Sequence, residues 1–146
     1  MKYKCKYFKI KELVHPSFLG TNEVILWRLF DERLLKMADK IREKYGACTV
    51  NTPDLQNCGL RPMDASGAVF SAHKFGCALD LHIRSIEIEA GKIKDPVARK
   101  KWKTEAYNKV RETLMVNHEF DVLCFEANVS WLHIAVQNRK ERLFNP

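Results

Sequence analysis

The sequence predicts an α+β domain in which helices flank a small, mostly antiparallel sheet. Three observations carry that prediction. Two stretches, around 31–45 and 95–114, place apolar residues at helical spacing. Four short stretches, around 47–52, 76–83, 120–125 and 131–136, read as strands. A turn signal at Ala127-Asn128 joins the last two. The chain of 146 residues has the length of one ordinary domain, and no internal repeat or low-complexity linker divides it, so 1–146 reads as a single unit.

Residues 2–10 alternate weakly, as an edge strand or an arm would, and Pro16 and Gly20 mark 11–30 as a loop. The first helix follows, with Asp31 as N-cap, Leu34, Ala38, Ile41 and Tyr45 on one face, and Gly46 as the stop. In 47–52, Cys48 and Val50 share a strand face, and a loop carrying Pro53, Gly59, Pro62 and Gly67 follows. Across 76–83, Cys77, Leu79, Leu81 and Ile83 point one way and Ala78, Asp80 and His82 the other, which assigns Cys77 to the core. Asp95-Pro96 is an N-cap followed by proline at the first helical position, opening a helix with Trp102, Ala106, Val110 and Leu114 at i+4 steps.

Composition narrows the function class. With 46% apolar and 29% charged residues the chain is neither disordered, nor collagen-like, nor a disulfide-dense miniprotein. No apolar run reaches the roughly 18 residues of a membrane span. Twenty-five basic against 18 acidic residues give a net charge of +7, which favours polyanionic partners. Aromatic residues do not interleave with the basic ones in a stacking pattern, so nucleic acid is the poorer candidate. The five cysteines are odd in number and form no Cys-x-x-Cys pair, and they read as reduced thiols.

The segment richest in chemistry is Ser71-Ala72-His73-Lys74-Phe75-Gly76-Cys77-Ala78-Leu79-Asp80. His73 precedes a strand, Asp80 sits inside it, and Gly76 between them permits a tight turn. With His133 on the last strand, two neutral imidazoles and one carboxylate satisfy a catalytic zinc and leave its fourth position to water. Such an ion makes its water acidic enough to supply hydroxide near neutral pH. Spacing alone favours a histidine packed near a turn and an aspartate capping a neighbour.

The whole pattern, Ser-x-His-x-x-Gly-x-Ala-x-Asp at 71–80 with Trp131-Leu132-His133 near the C-terminus, resembles the LAS metallopeptidases. That superfamily holds D-Ala-D-Ala carboxypeptidases and dipeptidases, L-alanyl-D-glutamate endolysins and the hedgehog fold. Gly59-Leu60-Arg61-Pro62 is similar to the family's Gly-Tyr-Arg-Pro segment, and 120–126 ahead of the Trp-x-His is similar to a small phage-type branch. The resemblance covers about 8–137. It implies a hedgehog-like fold and one zinc ion on His73, Asp80 and His133. It also implies that Arg61 holds the substrate carboxylate or the developing oxyanion, with Ser71 and Trp131 as supporting residues. The implied activity is hydrolysis of peptidoglycan stem peptides, by a carboxypeptidase or an endolysin-like endopeptidase. Residues 1–6 are basic with no apolar stretch after them, which is not a Sec signal. The expectation is therefore synthesis in the cytoplasm, then action at the cell wall after release or as part of a phage particle.

The sequence departs from the family at one position that matters. Many members carry an acid three residues before the last histidine, and here that residue is Ser130, which is no base at neutral pH. The nearest acid is Glu126, assigned as the base if a hairpin brings it to the metal, and otherwise a solvated turn residue. Without a base, the chain is a catalytically impaired, metal-containing wall-binding or phage structural module. His82, on the face of Asp80, is a proton donor, a partner of a ligand, or a surface histidine. His15 and His118 carry no signal. The basic run Lys92, Lys94, Arg99, Lys100, Lys101 and Lys103 is a solvated helix face or a binder of anionic wall polymer.

Overall fold

A computed structural model describes residues 2–145. In chain order its elements are α1 (Ile10–Leu13), α2 (Glu23–Arg28), α3 (Glu32–Tyr45), β1 (Cys48–Thr49), β2 (Ala78–Ile83), α4 (Arg84–Gly91), α5 (Pro96–Met115), β3 (Cys124–Glu126), β4 (Leu132–Ala135) and β5 (Leu143–Phe144). The strands form one sheet in the order β1-β2-β4-β3-β5. Every pairing is antiparallel except β3 with β5, which is parallel, so the sheet is mixed and mostly antiparallel. The α+β expectation holds at this level. No helix among the described residues is long and apolar enough to cross a membrane.

The arm at the N-terminus is not an edge strand, and the reason is where its backbone donors go. Asp39 of α3 is buried, and its carboxylate accepts from the Lys6 and Tyr7 N–H groups and from the Tyr3 hydroxyl. Those donors are satisfied against a helix and are not offered to the sheet. Residues 11–30 are more ordered than a loop: they hold the end of α1, a 3-10 turn at Pro16–Phe18 and α2, which is capped by the Asn22 side chain on Val24 N–H. α3 starts as expected, with Asp31 accepting from Arg33 N–H, and ends at Gly46.

The sheet has two unlike faces because side chains alternate along each strand. Leu79, Leu81 and Ile83 of β2, Leu132 and Ile134 of β4 and Phe125 of β3 join the main core with Leu34, Leu35, Ala38 and Ile41 of α3 and Tyr107 and Leu114 of α5. The opposite face carries Asp80, His82 and His133. The buried face of α5 is Tyr107, Val110, Arg111 and Leu114, whereas Trp102 of the expected stripe is 37% exposed. Residues 120–125 are not one strand: Phe120 closes a 3-10 turn, and β3 starts at Cys124. Cys77 is a second correction. It lies just before β2, half exposed, against the small cluster of Ala72, Ala78 and Ala135 and outside the main core.

That alanine cluster positions the site. Ala78 and Ala135 are cross-strand partners, and their small side chains let the 3-10 turn Ala72–Phe75 settle on the sheet. Gly76 ends the turn at φ 66°, in the left-handed region, where a Cβ would also collide with the Leu29 carbonyl. Both penalties fall on one residue, so Gly76→Ala is expected to cost about 3 kcal/mol or more. A urea unfolding midpoint that drops at unchanged slope measures it, and an unchanged midpoint would refute the argument.

Candidate metal centre

Register alone builds half of the site. Asp80 of β2 is the Cα partner of His133 of β4. Cys124 pairs with Ala135 and Phe125 with Ile134, and the same register carries Glu126 level with His133. Glu126, His133 and Asp80 therefore form a row across three strands on one face. His73 arrives from above, on the 3-10 turn that rests on the alanines.

The geometry is convergent. His133 Nδ1 lies 2.8 Å from Asp80 Oδ1, and His73 Nε2 lies 3.4 Å from the same oxygen. The two imidazoles meet edge to face with centroids 5.1 Å apart. All three residues are buried, and one ligand atom from each lies within 4.8 Å of the others. The His73 Nδ1–H donates to the Gly59 carbonyl at 3.1 Å, which puts the proton on Nδ1 and leaves the Nε2 lone pair facing Asp80. Gly59 is required there, because a Cβ would run into the Leu13 carbonyl that accepts from Leu60 N–H. Burial alone would raise the Asp80 pKa, but the hydrogen bond from His133 leads the interactions that outweigh it and hold the carboxyl below its usual range.

The other expected site residues surround this trio. Arg61 Nη2 is 3.5 Å from Asp80 Oδ2, and its Nε donates to the Asn57 carbonyl, so neither contact uses Nη1. Glu126 Oε2 lies 3.8 Å from His133 Nδ1. Ser71 and Trp131 line the same cleft, of about 440 Å³, into which the trio opens. Ser71 precedes the 3-10 turn and its hydroxyl makes no capping bond. The Trp131 Nε1 is buried with no partner among the described residues. His82 shares the face of Asp80 but does not join the trio: its Nδ1 is 3.5 Å from Glu87 Oε1 and its Nε2 is 3.7 Å from Cys58 Sγ.

The chain matches no protein-family model, no curated protein and no solved structure.

The donor set is nevertheless specific in its chemistry. Two nitrogens and one carboxylate oxygen suit a borderline divalent cation, and imidazole and carboxylate accept several metals. The structure fits a metal ion at His73, Asp80 and His133.

Three contributors carry no signal in the sequence pattern. The Gly59 carbonyl acts through backbone, and Phe144 of the two-residue β5 places its ring edge-on to His133 at 5.9 Å. The third, Arg111, is 1% exposed and donates to the carbonyls of Val129 and Trp131, tying the β3–β4 turn to α5. Burial lowers its pKa to about 10 while the Glu126 charge opposes the shift, so it stays cationic at neutral pH.

Proposed function

We propose that the chain is a zinc-dependent peptidase acting on the peptide stems of bacterial peptidoglycan, with a hedgehog-like fold. The observation that carries this reading is the meeting of His73, Asp80 and His133 beside Glu126 and Arg61 in one open cleft. The substrate class rests on the resemblance of 71–80 and 131–133 to the LAS peptidases.

His73 Nε2, Asp80 and His133 Nδ1 would hold the ion. When bound, the ion supplies Lewis-acid polarisation of a carbonyl and an acidified water. Glu126 faces the cleft beside His133 and takes the proton of the attacking water, then returns it to the leaving amine. Arg61 presents Nη1 to the carbonyl oxygen or a neighbouring substrate carboxylate, and the Asn57 carbonyl and Asp80 hold its plane. The basic surface of 92–103 supplies attraction to anionic wall polymer. The position of Glu126 supports this catalytic reading over an impaired binding module, whose argument was the serine at 130.

The test is release of stem peptides from purified peptidoglycan, read by mass spectrometry. Release is expected to stop on full chelation and return with zinc. Release that survives complete metal removal would sink the reading.

A further inference from the structure

A second cluster of ligating side chains lies on the same face of β2, behind the trio. We infer that Cys58 and His82 form a separate binding site for a thiophilic divalent cation. The inference does not depend on the peptidase reading.

The geometry is that of a half-built tetrahedron. Cys58 Sγ and His82 Nε2 are 3.7 Å apart. Bonds of about 2.3 Å to sulfur and about 2.0–2.1 Å to nitrogen, meeting at a tetrahedral angle, span an edge of about 3.5–3.6 Å. A cation therefore fits between the two atoms with almost no movement of either.

The histidine is also held as a ligand is held. Its other nitrogen, Nδ1, faces Glu87 Oε1 at 3.5 Å. Glu87 in turn is fixed by the Tyr107 hydroxyl at 2.8 Å and by Lys103 Nζ at 2.8 Å. Tyr107 is itself buried and accepts from Ile83 N–H at 2.8 Å. A carboxylate behind an imidazole fixes the tautomer that leaves Nε2 free to bind and raises its basicity. Here that support is anchored in the core by α5.

Cys58 and His82 line a cleft of about 270 Å³ together with Asp54. The remaining coordination positions thus open to water or to a carboxylate. The cleft shares Arg61, Asp80 and Trp131 with the larger one, so the two sites stand on either side of one wall. The backbone links them too. The Cys58 carbonyl accepts from Asp80 N–H at 2.7 Å, and the carbonyl of the next residue, Gly59, accepts from His73. A cation on Cys58 and His82 clamps the loop that carries both acceptors onto β2.

The experiment is titration of the metal-stripped protein with cobalt(II), following the sulfur-to-cobalt charge-transfer band and the bound stoichiometry by equilibrium dialysis. The wild type is expected to take two equivalents, one of which produces the thiolate band. Cys58→Ser and His82→Ala should each lose one equivalent and the band. Cys77→Ser, which changes the half-exposed thiol elsewhere, should keep both. His133→Ala should lose the other equivalent and keep the band. A wild type that binds one equivalent without a thiolate band, or a band unaffected by Cys58→Ser, would overturn the inference.

Discussion

Complete removal of divalent ions is expected to lower the melting temperature by about 8–16 °C. An ion that binds only the folded chain, present at a thousand times its dissociation constant, stabilises by about 4 kcal/mol. For a chain near 150 residues each kcal/mol moves the midpoint by about 2–4 °C. The condition of binding only the folded chain is met here, because the three candidate ligands come from a 3-10 turn, β2 and β4 and meet only through the Asp80–His133 register and the seating of Ala72 on Ala78 and Ala135. The competing account is a buried aspartate that does no more than hydrogen-bond two histidines. That account predicts the same melting curve with and without chelator. Asp80→Asn separates the two further: the amide keeps the shape and a hydrogen bond to His133 but removes the charge a cation needs, so most of the chelator-dependent shift should vanish, leaving only the share of a cation on Cys58 and His82. Cys58→Ser leaves the trio intact and should retain most of the shift. A chelator shift of undiminished size in Asp80→Asn would place the ion elsewhere.

What the sequence made legible divides along physical lines. Elements long enough to show a period were readable: α3 with its Asp31 cap, α5 with Asp95-Pro96, and β2 with its alternation. α1 and α2 span four and six residues, less than two turns, and no 3.6-residue period can appear in so short a stretch. The stripe expected on α5 slipped for a geometric reason. A strict i+4 row advances about 40° past a full turn at each step, so a row that is buried at Val110 and Leu114 has wound out to solvent by Trp102. Arg111 was invisible because charged residues belong on the surface by default. Its burial makes sense only once the Val129 and Trp131 carbonyls are seen above it. The candidate ligand trio was legible through the resemblance of 71–80 and 131–133 to a known motif, with only the face of Asp80 assigned from alternation. What no pattern stated was the β2–β4 register, and a one-residue slip there would have turned His133 into the core.

That register also decides the last prediction. Replacing Glu126 by glutamine is expected to lower stem-peptide hydrolysis by about 10²- to 10⁴-fold, the range for losing a positioned general base. Glutamine keeps the size and a carbonyl oxygen but cannot take a proton at neutral pH. It adds no bulk to β3, so folding and metal content should stay as in the wild type. The acid that LAS peptidases, which the motif resembles, carry three residues before the last histidine falls here on Ser130, in the turn and not on the strand. Glu126 reaches the same neighbourhood from the adjacent strand, 3.8 Å from His133 Nδ1. A base supplied across a strand pair depends on the turn that joins the strands, and Arg111 is what holds that turn. Arg111→Met should therefore lower turnover as well. It should also destabilise the fold, since the Val129 and Trp131 carbonyls lose their donor, at about 1–3 kcal/mol for each buried group left unpaired. The pair of variants distinguishes the roles: Glu126→Gln should lose hydrolysis while keeping its chelator-dependent melting shift, and Arg111→Met should lose both stability and rate. Wild-type hydrolysis in Glu126→Gln would remove the carboxylate from the mechanism and leave Arg111 with a purely structural task.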